Sequence, residues 1–110
     1  MLNENLSEFI KVLSDPSRLD ILDALKEGSE MSASEIENAI GKSQSSTSQQ
    51  LKNLVNANIL NVRRESRNKY FKIRDPQIFN ILIEITIYLS NINQDKIEEL
   101  SDVDISDTLY

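Results

Sequence analysis

Residues 32–55, SASEIENAIGKSQSSTSQQLKNLV, carry two helix starts and one helix stop within 24 residues. Ser32-Ala-Ser-Glu35 has the form of a capping box, in which a Ser side chain and a Glu three residues later satisfy each other's backbone donors. Met31 and Ile36 stand at the two ends of a hydrophobic staple around it. The helix that follows runs to about Ile40 and is stopped by Gly41, because glycine enters the left-handed conformation of a helix terminus without steric penalty. Ser43 is the N-cap of the next helix. There Thr47, Leu51, Leu54 and Val55 recur at i, i+4, i+7 and i+8, a stripe that faces a core. Two helices joined across two or three residues make a helix-turn-helix connection.

The other face of the second helix explains the run of eight uncharged polar residues from Ser43 to Gln50. Register places Ser45, Ser48, Gln49 and Lys52 opposite the apolar stripe, with Gln44 and Ser46 in the exposed first turn. Short hydroxyls and amides approach base edges and phosphates closely, and Gln can pair bidentately with adenine in a major groove. A carboxylate on this face would repel a phosphate backbone. A flexible Ser/Gln-rich linker, the bland alternative, would not share its helical register with four apolar residues.

Charge is distributed to the same effect. From Lys42 to Arg74 there are eight basic residues and one acid, a net +7 within a chain of net charge -6. The remaining residues hold four bases and seventeen acids. Such a separation presents one face to a polyanion while the rest repels it, which orients the encounter. An acidic total therefore does not exclude nucleic acid.

Flanking elements complete the reading. Leu2, Leu6, Phe9, Ile10 and Leu13 lie on one side of a first helix. Asp15-Pro16 starts a second, with an acid at the N-cap and Pro at the first helical position; Leu19, Leu22 and Leu25 form its stripe and Gly28 its expected C-cap. After Val55 the helix stops at Ala57-Asn58, where Asn tolerates the left-handed conformation. A hairpin follows, with Leu60, Val62 and Arg64 alternating on one strand, Lys69 to Ile73 on the other, and Glu65 to Asn68 as the turn. Arg63, Arg64, Arg67 and Lys69 crowd its tip, as suits a wing along phosphates; the alternative is that these bases pair with the protein's own acids. Asp75-Pro76 starts a last helix whose Ile78, Ile81, Leu82, Ile85, Leu89 and Ile92 make one stripe and Phe79, Ile83 and Ile87 a second. So much apolar surface calls for a second copy of the chain, met through this helix and Leu6, Phe9 and Ile10 of the first.

Composition narrows the function classes. With no Cys and no His the chain lacks disulfides, cysteine nucleophiles and nearly all transition-metal ligands, so zinc or arsenic sensing is not expected and no cofactor is called for. No Gly-rich phosphate loop or paired acid spacing suggests an enzyme. The first residues lack a signal peptide's basic start and apolar run, and the apolar segment from Ile78 to Ile92 is short and broken by Glu84, so the expected setting is cytoplasmic with no membrane span.

In order and spacing, KVLSDPSRLDILDAL, then SASEIENAIGKSQSSTSQQLKNLVNANIL, then VRRESRNKYFKI, the chain resembles the ArsR/SmtB-type winged helix-turn-helix repressors over residues of about 8 to 74. That resemblance implies five helices and a two-stranded wing, a homodimer joined by its first and last helices, and a regulator whose fourth helix enters the major groove. Matched here, the groove-facing positions are Gln44, Ser45, Ser46, Ser48 and Gln49, with Lys42 and Ser43 near phosphate and Arg64, Arg67 and Lys69 in the wing. Departures are informative. Ser32 and Ser34 stand where metal-sensing members carry Cys-x-Cys, the last helix lacks the His and acid set of the other metal site, and Ser66 replaces the wing Gly.

The resulting expectation is a mainly α winged helix-turn-helix domain over residues 1–94, with its recognition helix at about 43–56 and wing at about 60–73, and an acidic tail over 95–110. As a homodimeric, sequence-specific transcriptional regulator it would repress by occluding a promoter, reading a pseudo-palindromic operator in double-stranded DNA. The effector is unassigned. The rival expectation is a winged-helix scaffold that binds another protein through its apolar last helix or its acidic end.

Overall fold

Side-chain caps set most of the helix starts, and the elements follow them. The computed structural model describes the backbone of residues 2–109 and the side chains of residues 2–96. Along the chain stand α1 (Leu2–Leu13), α2 (Pro16–Ala24), β1 (Met31–Ser32), α3 (Ala33–Ile40), α4 (Gln44–Asn56), β2 (Leu60–Glu65), β3 (Asn68–Ile73) and α5 (Gln77–Leu109). Asp15 caps α2 by accepting from the Ser17 N–H at 2.8 Å, and Pro16 occupies the first turn as expected. At the other end the expectation fails. The C-cap of α2 is Leu25, whose N–H reaches the carbonyls of Ile21 and Leu22, while Gly28, at φ +82°, closes a separate turn back to the Leu25 carbonyl.

Burial corrects the α2 stripe as well. Ile21, Leu22 and Leu25 are buried, whereas Leu19, read as a core position, is 39% exposed. A helical stripe inferred from spacing has an edge about one residue wide, and the true buried arc is rotated toward Ile21. Ile36 of α3, Thr47, Leu51 and Leu54 of α4, and Ile59, Leu60, Phe71 and Ile73 around the hairpin complete the core.

The sheet has three antiparallel strands in the order β1-β3-β2, one more than the expected two-stranded wing. Met31 pairs with Phe71 and Ser32 with Tyr70, so the residue that caps α3 also ends a strand. Two residues are too few to show a strand period, which is why β1 leaves no mark in the sequence. β2 and β3 pair from Leu60–Ile73 out to Glu65–Asn68 across a two-residue loop.

The chain divides into two units, residues 1–76 and 77–110. α5, the second, begins one residue beyond Pro76 and runs on through the acidic stretch to Leu109. Side chains from 97 onward lie outside the described residues, and with them most of the expected tail over 95–110. Along α5 the side chains of Ile81, Ile83, Ile85, Ile87, Tyr88 and Leu89 are exposed. Among the described residues no helix is long and apolar enough to cross a membrane.

Candidate nucleic-acid interface

α4 is positioned from both ends by short-range bonds. Ser32 accepts from the Glu35 N–H at 3.2 Å and its own N–H reaches the Glu35 carboxylate at 3.0 Å, the full capping box. That bond lowers the Glu35 pKa, because the backbone N–H of Ser32 favours the charged form. Gly41 turns the chain at φ +67°, and Ser43 caps α4 by accepting from the Ser46 N–H at 3.2 Å. The C-terminal end stops at Ala57, followed by Asn58 at φ +61°.

Thr47, Leu51 and Leu54 hold the inner face of α4 in the core. The Thr47 hydroxyl is fully buried and has no hydrogen-bond partner among the described residues. A buried hydroxyl left unpaired is destabilising. Thr47→Val keeps the branched shape and removes that group, so it is expected to raise the unfolding free energy by about 1 kcal/mol, read as a higher urea midpoint.

A third restraint spans elements. The Arg18 guanidinium of α2 donates to Gln50 Oε1 at 2.7 Å and to the Val12 carbonyl at the end of α1 at 3.0 Å. Gln50 is thereby committed to holding α4 and not to its outer face. Sequence spacing holds no sign of a bond across 32 residues.

On the outer side Gln44, Ser45, Ser48, Gln49 and Lys52 are all exposed, as are Lys42 and Ser43 ahead of them; Ser46 is half-buried. Ser48 and Lys52 share one groove with Val62, Lys69 and Phe71 of the hairpin, so helix face and wing face one space.

The wing's four predicted bases do not share one environment. Arg64 and Lys69 pair directly across the hairpin on the face shared with Val62 and Phe71. Like charges in that position repel. Arg67 lies in the loop beside Ser66, which takes φ +56° where the family's Gly is expected. Among the described residues no carboxylate lies within ion-pair distance of Arg64, Arg67, Lys69, Lys52 or Lys42. Arg63 points from the opposite face, where Nε and Nη2 each reach the Glu30 carboxylate at 3.0 Å, Nη1 reaches Glu65 at 2.8 Å, and the plane lies 4.7 Å from the Tyr70 ring centre. Pairing with the protein's own acids thus holds for this arginine and not for its three neighbours.

Nothing local in the sequence marks Glu30 as a wing partner. Its hydrogen bond to Arg63 lowers its pKa from the ordinary 4.5. A carboxyl depressed on folding contributes stability above its unfolded pKa and loses it as pH falls through the folded value. The tie between wing and β1 is therefore expected to persist at neutral pH and to release below about pH 4.5. Lower amide protection factors in β1 and β2 in acid than at neutral pH, a difference flattened by Glu30→Gln, would register it.

The residues expected at a dimer contact divide similarly. Leu6 and Ile10 of α1 and Ile81, Ile85 and Leu89 of α5 are exposed, Phe9 and Leu82 are half-buried, and Ile78 is buried.

Three comparisons bear on this geometry. Residues 15–62 match the family described as bacterial regulatory protein, arsR family. Over 86 residues the chain is 31% identical to the transcriptional repressor SmtB homolog of Synechocystis, a match covering 78% of this chain and 64% of that protein, so just under two thirds of that relative's length is spanned. Among solved structures, the crystal structure of Rv0081 from Mycobacterium tuberculosis superposes with a TM-score of 0.77 at 30% identity, covering 87% of this chain and 96% of that one. The homodimeric winged helix-turn-helix DNA-binding domain Mb0332 of Mycobacterium bovis, titled a possible ArsR-family transcriptional regulator, superposes at 0.70 with 25% identity, covering 81% of this chain and 82% of that one.

Proposed function

Since the chain belongs to the bacterial arsR family of regulatory proteins, with its winged helix-turn-helix fold, we propose that it is a homodimeric, sequence-specific DNA-binding transcriptional regulator. One observation carries this reading: Ser48 and Lys52 on the exposed, acid-free face of α4 open onto the same groove as the unpaired wing base Lys69. Gln44, Ser45, Ser46, Ser48 and Gln49 read base edges in the major groove, Lys42, Ser43 and Lys52 meet flanking phosphates, and Arg64, Arg67 and Lys69 follow the backbone. Arg63 holds the wing in place instead of touching DNA.

Residues 1–94 serve as the binding and dimerising domain, the exposed apolar residues of α1 and α5 meeting a second copy. Two recognition helices about 34 Å apart then address a pseudo-palindrome, and occupancy of a promoter represses it. The named Synechocystis repressor and the homodimeric Mb0332 domain support that arrangement by likeness.

Selection of bound duplexes from a random pool tests symmetry, spacing and binding together. Enriched sites are expected to be twofold-symmetric with half-sites one helical turn apart. No enrichment, with a monomer in light scattering that forms a stable complex with another protein, would replace this reading by the interaction module. On an enriched site Gln49→Ala is expected to lose about 1–3 kcal/mol at one or two base positions, whereas Arg67→Ala weakens all duplexes alike. Equal loss on every sequence for both variants would remove Gln49 from the readout.

A further inference from the structure

The groove between α4 and the wing has a graded lining that phosphate contacts alone do not account for. Along the inner face of the hairpin the paired residues run from Leu60–Ile73, both buried, through Val62–Phe71, to Arg64–Lys69 at the tip. Val62 points to the same side as the buried Phe71, yet it is 44% exposed, so this core-facing position is only partly covered. Leu51 and Val55 of α4 line the same groove, with Lys52 and Lys69 beside them. Neither lysine has an acid within ion-pair distance among the described residues. The space amounts to about 440 Å³, within the size range of small-molecule sites.

A duplex answers the lysines with phosphates but can meet Val62 only with sugar C–H edges or thymine methyls, not with a continuous chain of methylenes. A single anionic head on an unbranched hydrocarbon tail matches both ends. We infer that this groove binds a fatty carboxylate, the tail against Val62, Val55 and Phe71 and the carboxylate between Lys52 and Lys69, and that its occupancy displaces DNA. The inference rests on the DNA-binding reading for its regulatory half, because the same two lysines serve the duplex.

The test is titration calorimetry of the full chain, without DNA, using hexanoate, octanoate and decanoate below their micelle concentrations and decan-1-ol as the uncharged control. One carboxylate should bind per chain, its affinity rising about two- to fourfold per methylene. Decanol should bind at least tenfold more weakly than decanoate, and the double variant Lys52→Gln, Lys69→Gln should remove that difference. Val62→Asp, on an exposed strand position, should abolish binding with circular dichroism unchanged. Saturating decanoate should release a selected duplex.

Absence of saturable binding, equal affinity for decanol, or binding that survives Val62→Asp, as at the exposed isoleucines of α5, overturns the site. A duplex that stays bound at saturating decanoate overturns the displacement. Enriched duplexes without decanoate binding would sink this inference and leave the regulator standing; decanoate in the groove without any enriched duplex would overturn the regulator and the displacement and leave the carboxylate site standing.

Discussion

Raising monovalent salt from 50 to 200 mM is expected to weaken the complex with a selected duplex by about 250-fold or more. Each phosphate neutralised on B-DNA releases condensed counterions and contributes about -0.9 to the slope of log affinity against log salt. Each chain offers five bases with no described acid in reach, Lys42, Lys52, Arg64, Arg67 and Lys69. A dimer that engages even half of them would show a slope of roughly four or more. Arg64→Ala should reduce that slope by about two per dimer, one for each copy. Arg63→Ala should leave it nearly unchanged, because that guanidinium is spent on Glu30 and Glu65. A flat salt response would overturn the proposed function, and an Arg63 slope change equal to that of Arg64 would overturn the division of the wing into a contacting and a holding face.

Leu54→Ala is expected to lower the unfolding free energy by about 2–5 kcal/mol, against a total of about 5–15 for a domain of this size. Leu54 is 0% exposed on α4, and its carbonyl accepts from the Ile59 N–H at 3.0 Å where the chain turns into β2. Truncation leaves a cavity at the point where recognition helix and wing diverge, so duplex affinity should fall along with stability. With a slope of about 1–3 kcal/mol per molar urea, the midpoint should drop by about 1 M or more, compared at one protein concentration because dimerisation adds to apparent stability. Leu19→Ala is the contrasting case. Spacing alone puts both leucines in the core, but Leu19 is 39% exposed and its loss should lie below about 1 kcal/mol. Equal losses at the two sites would refute the observed rotation of α2.

Much of the fold is legible in short segments because its signals act over three or four residues. Asp15, Ser32 and Ser43 bond to backbone N–H groups two or three positions ahead, and each does so in the folded chain. Gly41 and Asn58 turn the chain where a left-handed residue is needed. The outer face of α4 follows from helical period once its start and its four apolar residues are known. Gly28 misled because a glycine near a helix end can serve the next turn equally well, and no local feature distinguishes the two.

What sequence by itself determined, then, is the order of the five helices and the hairpin, the helix-turn-helix joint, the α4 face and the gathering of charge, all consequences of near-neighbour hydrogen bonds and helical or strand period. Tertiary structure alone decided the pairing of β1 with β3, the Arg18–Gln50 restraint and the diversion of Arg63 to Glu30, each joining residues more than thirty positions apart. Such contacts depend on how packed elements bring distant backbone together, and periodicity carries no information about that distance. The same holds for Val62. Its strand position marks it as inward-facing, but only the space left between α4 and the hairpin determines that the described chain leaves it nearly half exposed.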